Sequence, residues 1–339
     1  MRIGILTGGG DCPGLNAALH AVVLTAMVHH DTVIGFHHGW RGVANSEFEE
    51  LTRTRVRGII QRGGTILGTA RFHPHEHEGA IDAVLATLKA QKIDAVLVLG
   101  GDGTLNASFE LTKHGVPVIG LPKTIDNDIS GTEQCIGHDT AVAIATEAID
   151  RVHTTAESHD RLMVVEVMGR MTGWIAVESG LAAGADAILI PENPVTIDSV
   201  VEALQQRHQK GANSSIVVVA EGARVANTDI EEVPTGWPQL AGSPVGAEVS
   251  RTLAKRTGFE TRLTVLGHVQ RGGEPTARDR ILAAQLGRAA VSYLHEGLTN
   301  ILIAGIGDGI RPVPLMEVTR GARTVPEELR QLAMQLTVV

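Results

Sequence analysis

A series of short aliphatic runs, separated by stretches long enough for helices, restricts this chain to an alternating α/β fold. The runs are Arg2 to Leu6, Val33 to Phe36, Ala95 to Leu99, Pro117 to Gly120, Leu162 to Val165, Ala187 to Ile190, Ser215 to Ala220, Arg262 to Leu266 and Ile301 to Ala304. Continuous apolar runs of this length mark strands buried on both faces of a parallel sheet. Several intervals carry helical stripes: Leu15, Ala18, Leu19, Val22, Val23 and Ala26; Ile81, Val84, Leu85 and Leu88; and Leu282, Leu286, Ala289, Ala290 and Leu294. Spacing of that kind buries one helix face against a core. With 339 residues and a usual domain of about 150 residues, two domains are expected.

The loops that follow three early strands are rich in glycine or polar groups. Leu6 runs into Thr7-Gly8-Gly9-Gly10-Asp11, Leu99 into Gly100-Gly101-Asp102-Gly103-Thr104, and Gly120 into Leu121-Pro122-Lys123-Thr124-Ile125-Asp126-Asn127-Asp128. In open parallel sheets ligands bind beyond the carboxyl ends of strands, so these three ends predict one site. The first loop suits an anion, because glycines let backbone N–H groups and a helix N-terminus face it. Its spacing is not that of a dinucleotide fingerprint, and no lysine follows a glycine as in a Walker loop. A plain tight turn is the alternative. In the second loop bare backbone lies beside one carboxylate, which suits a magnesium-bound phosphate chain, with Asp102 holding the metal directly or through water. In the third, Asp126 and Asp128 stand at i and i+2, on one side of an extended chain. One can accept a hydroxyl proton while the other serves the metal or its waters.

Composition narrows the function. Thirty-eight Asp and Glu against twenty-nine Lys and Arg leave a formal charge of −9, so the chain lacks the positive field of a nucleic-acid binder. Thirty-nine glycines exceed the usual share of about 7% without a Gly-X-Y period, which points to tight turns and backbone close to a ligand. The two cysteines, Cys12 and Cys135, fit a reducing compartment and no disulfide framework. No run approaches the ~20 apolar residues of a membrane span, and the apolar start is too short for a signal peptide. A cytoplasmic protein with no nucleic-acid or membrane partner is expected. Arg161, Met168-Gly169-Arg170, Glu221, Arg262 and Gly267-His268-Val269-Gln270-Arg271-Gly272-Gly273 fall near the ends of expected strands. Arginines so placed suit a sugar phosphate, whose oxygens match the guanidinium fork, while each one alone fits a surface ion pair better.

The order and spacing of GGGDCPGLNAA, RGGTILGTARF, GGDGT, PKTIDND, EAIDR, VVEVMGR and LGHVQRGG resemble the 6-phosphofructokinase family, from residue 2 to about residue 297. The resemblance is to the A type and its mixed-substrate branch, most of all the ATP-using members. It implies two Rossmann-like α/β domains, each a mostly parallel sheet between helices, with the active site in the cleft between them. Residues 1–137 plus about 269–320 would form a nucleotide-binding domain, and about 138–268 plus 321–339 a sugar-phosphate-binding domain. The stretch Gly222 to Pro244 is expected to be a surface insertion.

The implied reaction is transfer of the γ-phosphate of ATP to the 1-hydroxyl of fructose 6-phosphate in glycolysis, with Mg2+. By resemblance, Gly10, Arg71, Phe72, Gly101, Asp102, Gly103 and Thr104 bind ATP, with Asp102 as the magnesium residue. Thr124, Ile125 and Asp126 meet the fructose 1-hydroxyl, Asp126 as general base and Thr124 beside it. Met168, Gly169 and Arg170 contact the sugar phosphate, and Arg170 also stabilises the transferring group. Glu221 holds sugar hydroxyls. His268 and Arg271, with Val269 and Gln270 between them, belong to the 6-phosphate site. Arg161 and Arg262 match arginines contributed by a neighbouring subunit, which implies a homodimer or homotetramer.

Two positions bear on the donor. Pyrophosphate enzymes of the family typically carry Asp at the position of Gly103 and Lys at that of Lys123. Gly103, lacking a Cβ, leaves room for an α-phosphate, so ATP is expected, and pyrophosphate-dependent phosphotransfer to fructose 6-phosphate is the alternative. At the effector positions, His20, Leu24, His153 and Gly211 to Ser214 replace basic residues, so weak anion regulation is expected. His73, His75 and His77 alternate as a strand-borne zinc set would, although Pro74, Glu76 and Glu78 also fit a solvated loop. A non-catalytic regulatory subunit on the same fold is the remote alternative, disfavoured by the presence of Asp102, Asp126 and Arg170.

Overall fold

The computed structural model describes residues 1–226 and 245–338. Two compact units divide the chain: Met1–Thr140 with Arg271–Ala322, and Ala141–Gln270 with Arg323–Val339. In chain order come β1 (Arg2–Thr7), α1 (Leu15–Val28), β2 (Thr32–Phe36), α2 (Trp40–Ala44), β3 (Phe48–Glu50), α3 (Ala80–Ala90), β4 (Ala95–Gly100), α4 (Asp102–Thr112) and β5 (Val118–Pro122). Next are α5 (His138–Ser158), β6 (Leu162–Val167), α6 (Trp174–Ala182), β7 (Ala187–Leu189), β8 (Val195–Thr196), α7 (Ile197–Gln209), β9 (Ser215–Ala220) and β10 (Val225–Ala226). The chain ends with α8 (Val245–Thr257), β11 (Thr261–Val265), α9 (Ala277–His295), β12 (Ile301–Ile306), β13 (Gly309–Pro314) and α10 (Glu327–Leu336).

The first unit holds a seven-stranded sheet in the order β13-β12-β5-β4-β1-β2-β3. Its inner pairs are parallel, whereas β3 and β13 close the two edges antiparallel. Every residue of β4 is buried, as a strand covered on both faces requires. The stripes expected for α1 are all buried, and Val84 and Leu88 of α3 pack into the same core as Leu6, Phe36 and Val98. The second unit has a four-stranded, all-parallel sheet ordered β11-β6-β9-β7 and a separate parallel pair, β8 with β10.

Aliphatic pattern found the inner strands and missed β3, β8, β10 and β13. β3 reads Phe-Glu-Glu, and β13 carries Pro312 and Pro314; edge strands tolerate charge and proline because one row of backbone groups needs no partner. The expected surface insertion also needs correction at its start: Gly222 and Ala223 are buried, and Val225–Ala226 form a strand. The remainder of that insertion, 227–244, lies outside the described residues. Among the described residues no helix is long and apolar enough to cross a membrane.

Candidate active site

In the first unit, the loops after β1, β4 and β5 meet at the carboxyl edge of the sheet, as adjacent parallel strands place them. Gly8 leaves β1 with its N–H on Leu99 O at 2.9 Å, and a Cβ there would lie 2.6 Å from the Thr104 side chain. Gly9 has φ +80°, the left-handed region that glycine enters without steric cost. A Cβ on Gly10 would stand 2.7 Å from Arg271 Nη1, and the same nitrogen donates to Asp11 O at 3.2 Å. Arg271, expected with His268 at the sugar phosphate, therefore sits in the first unit beside the glycine loop.

Lys123 is 2% exposed, and its ammonium donates to Gly10 O at 2.5 Å. A buried lysine needs such an acceptor, and this one ties the loop after β5 to the loop after β1. Asp102 begins α4, where a helix N-terminus favours negative charge. Asn106, one turn later, donates to Asp102 Oδ1 at 2.8 Å. Oδ2 has no hydrogen bond among the described residues. An exposed carboxylate with one oxygen fixed and one open matches the hard-oxygen preference of Mg2+, so the residues present fit that ion. Neither Asn106 nor its role was foreseen, although its i, i+4 spacing from Asp102 was visible.

The third loop is folded back on itself. Asp126 N–H donates to Thr124 Oγ1 at 3.1 Å, and the Thr124 hydroxyl donates to Asp126 Oδ2 at 3.2 Å. Asp126 is 2% exposed. Asn127 has φ +52°, so the extended geometry expected of Asp126 to Asp128 is not adopted. The short polar side chain of Asn enters this region more readily than most. His138 Nδ1 lies 2.7 Å from Ile125 O, a contact nothing in the sequence pattern signalled.

Arg71 is exposed and Phe72 half-buried, its ring stacked on His77 at 4.4 Å between centroids. Pro74–Glu76 form a 3-10 turn, which removes the strand alternation on which a zinc set depended. Among the described residues no group of three or more His, Cys, Asp or Glu gathers around a metal position. His73 Nδ1 pairs with Glu76 at 3.1 Å, and its Nε2 would lie 2.9 Å from a Cβ on Gly103. Cys12, in the first loop, donates to Ile136 O at 3.3 Å, and burial pushes its thiol up to about 12. A thiol so protonated is a poor nucleophile. Iodoacetamide at neutral pH is expected to leave Cys12 unmodified in the folded protein; labelling as fast as in denaturant would contradict this burial.

The second unit builds a separate cluster after β6 and β9. Gly169 has φ +143° and Arg170 φ +53°. The Arg170 N–H donates to Glu221 Oε1 at 2.7 Å, and Glu221 N–H donates to Val167 O at 2.9 Å, so the two loops are fastened to each other. A Cβ on Gly222 would lie 2.0 Å from Arg170 O; only glycine lets the backbones approach so closely. Gln270, fully buried, accepts from Met168 N–H at 3.3 Å and donates to Gly267 O at 2.9 Å. His268 and Val269 are exposed. Glu166, overlooked within its motif, is held above the usual carboxylate range by burial, against the pull of Gly246 N–H and with the charge of Glu221 adding to the rise.

Arg161 and Arg262 belong to the opposite edge of this sheet. Arg161 precedes β6 and Arg262 is the second residue of β11, and both pair with Glu260, at 2.7 and 2.6 Å. Met168 follows the other end of β6, about 20 Å away at 3.3 Å per residue. The two arginines are therefore not brought together with Met168 to Arg170 in this unit.

Glycine loops and a carboxylate gathered at the carboxyl edge of a parallel α/β sheet are an arrangement suited to phosphoryl transfer. Residues 2–294 match the family described as Phosphofructokinase. The chain is 48% identical over 335 residues to a pyrophosphate–fructose 6-phosphate 1-phosphotransferase of Amycolatopsis methanolica, covering 97% of each. It is 45% identical over 333 residues to ATP-dependent 6-phosphofructokinase 3 of Streptomyces coelicolor, covering 96% of this chain and 97% of that one. A solved phosphofructokinase of Saccharomyces cerevisiae superimposes with a TM-score of 0.82 at 33% identity, covering 99% of this chain and 46% of the yeast chain. The chain thus spans about half of that yeast subunit. The chain belongs to the phosphofructokinase family. It is a phosphotransferase acting on a hydroxyl group.

Proposed function

We propose that this chain is an ATP-dependent 6-phosphofructokinase, converting fructose 6-phosphate and ATP to fructose 1,6-bisphosphate and ADP in glycolysis. The observation that carries the choice of donor is Gly103. It presents bare backbone in the first turn of α4, and a side chain there would press on His73, 2.9 Å from the Cβ position. Position 103 therefore carries no carboxylate to occupy or repel the α-phosphate position, as the Asp typical of the pyrophosphate enzymes would.

In this reading Asp126 takes the proton of the 1-hydroxyl as that oxygen attacks the γ-phosphorus in line, and ADP leaves. Thr124 orients the carboxylate through its hydroxyl. Gly10, Gly101, Gly103 and Thr104 hold the phosphate chain, with Arg71 and Phe72 beside the nucleotide. Asp102, set by Asn106, holds Mg2+, which when bound offsets charge on the donor phosphates. Arg170 stabilises the negative charge spread over the transferring group. Glu221 serves sugar hydroxyls and also fixes the Arg170 backbone. Met168, Gly169, His268, Val269 and Gln270 line the sugar-phosphate side, and Arg271 adds a cation next to Gly10. Residues Met1–Thr140 with Arg271–Ala322 act as the donor unit, the remainder as the sugar-phosphate unit.

Arg161 and Arg262, at the far edge of their own sheet, serve the sugar phosphate of a second copy, so the active species is a homodimer or homotetramer. A cytoplasmic location follows from a glycolytic substrate. Pyrophosphate as donor is the second reading. It is favoured by the buried Lys123 on Gly10 O and by the name of the Amycolatopsis relative. Initial rates with each donor and fructose 6-phosphate separate the two: ATP is expected to give at least about tenfold the kcat/KM of pyrophosphate, and activity confined to pyrophosphate overturns the choice.

A further inference from the structure

A run of hydrogen bonds joins the third loop to His138, the first residue of α5. Ile125 O is a carbonyl and can only accept, so His138 Nδ1, 2.7 Å away, carries the proton and donates. The peptide that this bond polarises is the one joining Ile125 to Asp126. Its N–H donates to Thr124 Oγ1 at 3.1 Å, and the Thr124 hydroxyl donates to Asp126 Oδ2 at 3.2 Å. Each donor in such a chain is strengthened by the bond behind it. All members lie in one unit, and Thr124, Asp126 and His138 are buried, where hydrogen bonds are least diluted by water.

The ring is itself held firmly. Asp279 accepts from Gly137 N–H at 2.9 Å and from Thr140 N–H at 2.9 Å, on either side of His138. The backbone that bears the imidazole is therefore anchored independently of the loop that the imidazole reaches.

We propose that His138 is a positioning residue for the general base: it donates to Ile125 O and, through the Ile125–Asp126 peptide and Thr124, sets the orientation of the Asp126 carboxylate. This rests on Asp126 being the base. It gives a role in catalysis to a residue outside those assigned above to ATP and the sugar phosphate.

The test is steady-state kinetics on the full chain, run with ATP and separately with pyrophosphate, for His138→Phe, His138→Asn, Thr124→Val, Asp126→Asn and the double variant His138→Phe/Thr124→Val. Phe keeps the ring volume without a donor. It is expected to lower kcat about tenfold with both KM values within about twofold of wild type. Asn places an amide N–H where Nδ1 stands and should restore most of the loss. With Thr124→Val the run is already cut, so adding His138→Phe should cost little more. Wild-type kcat in His138→Phe, no rescue by Asn, or additive losses in the double variant would each overturn the proposal. If the Phe variant does not fold, His138→Gln, whose amide reaches the Nε2 position instead, reads the same cycle. A still-active Asp126→Asn enzyme would defeat the base assignment itself, whereas a dead Asp126→Asn with a fully active His138→Phe would defeat only the role of His138.

Discussion

Replacing Asp126 by Asn is expected to lower kcat about a thousandfold, within the range typical for loss of a general base, with KM for fructose 6-phosphate nearly unchanged. The reason lies in what Asn keeps. Its carbonyl oxygen can still accept from the Thr124 hydroxyl, which now meets Oδ2 at 3.2 Å, so the turn and the substrate-facing surface stay in place. In the proposed mechanism what is lost is an oxygen basic enough to take the proton as the 1-hydroxyl attacks. A fall in kcat and kcat/KM together, at constant KM, is the signature of a group that acts in the transition state. Steady-state rates across a fructose 6-phosphate titration measure this directly. Turnover near the wild-type level would remove Asp126 from the mechanism.

The largest stability effect is expected at Asp279→Ala. Asp279 is 1% exposed; Oδ1 accepts from Gly137 N–H at 2.9 Å, and Oδ2 accepts from Thr140 N–H at 2.9 Å and from the Thr140 hydroxyl at 2.5 Å. The two N–H groups open α5 and have no partner within their own helix. Thr276 caps α9 in turn, accepting from Asp279 N–H at 3.2 Å and donating to Asp139 Oδ2 at 2.6 Å, so two helix N-termini are locked to each other. Removing the carboxylate strands three buried donors and is expected to cost roughly 3–5 kcal/mol. At about 2–4 °C per kcal/mol for units of this size, a thermal melt should fall by roughly 10 °C.

The pH dependence of that penalty has a definite sign. Burial raises the Asp279 carboxyl above its ordinary 3.8, while the bonds from Thr140 and Gly137 pull it back. A carboxyl raised in the folded state contributes stability below 3.8 that is lost as pH climbs through the folded value. The gap in melting temperature between wild type and Asp279→Ala should therefore narrow as pH rises from 3.8 through that raised value. A gap that widens over this window would contradict the raised value.

Much of the candidate site was legible because its chemistry is carried by short segments at strand ends. Gly8 to Asp11, Gly100 to Thr104 and Lys123 to Asp128 each announce themselves by composition, and adjacent parallel strands leave them no choice of edge. The inner strands were legible for the same reason: burial on both faces demands unbroken aliphatic runs. Edge elements were not. β3 and β13 carry charge and proline because water, rather than a second strand, satisfies their outer side.

What escaped the sequence were contacts between residues far apart in the chain. Periodicity gives the face of a helix or strand but not the neighbour it meets. His138 reaching Ile125, Arg271 reaching Asp11, Lys123 reaching Gly10 and His73 standing against Gly103 depend on how loops return, and loop return is governed by packing rather than local preference. Arg161 and Arg262 are the clearest case. Their position near strand ends did not say which edge they occupy, although the family resemblance assigned them to a neighbouring subunit; the parallel register of β6 and β11 puts them at the amino edge of their own sheet. The sequence by itself determined the family, the α/β scaffold and the glycine-rich loops of the candidate site, because each is written in contiguous residues. Tertiary structure alone decided which cations stand beside which glycines and what holds the Asp126 turn in shape, because a hydrogen bond forms only where folding brings donor and acceptor within about 3 Å.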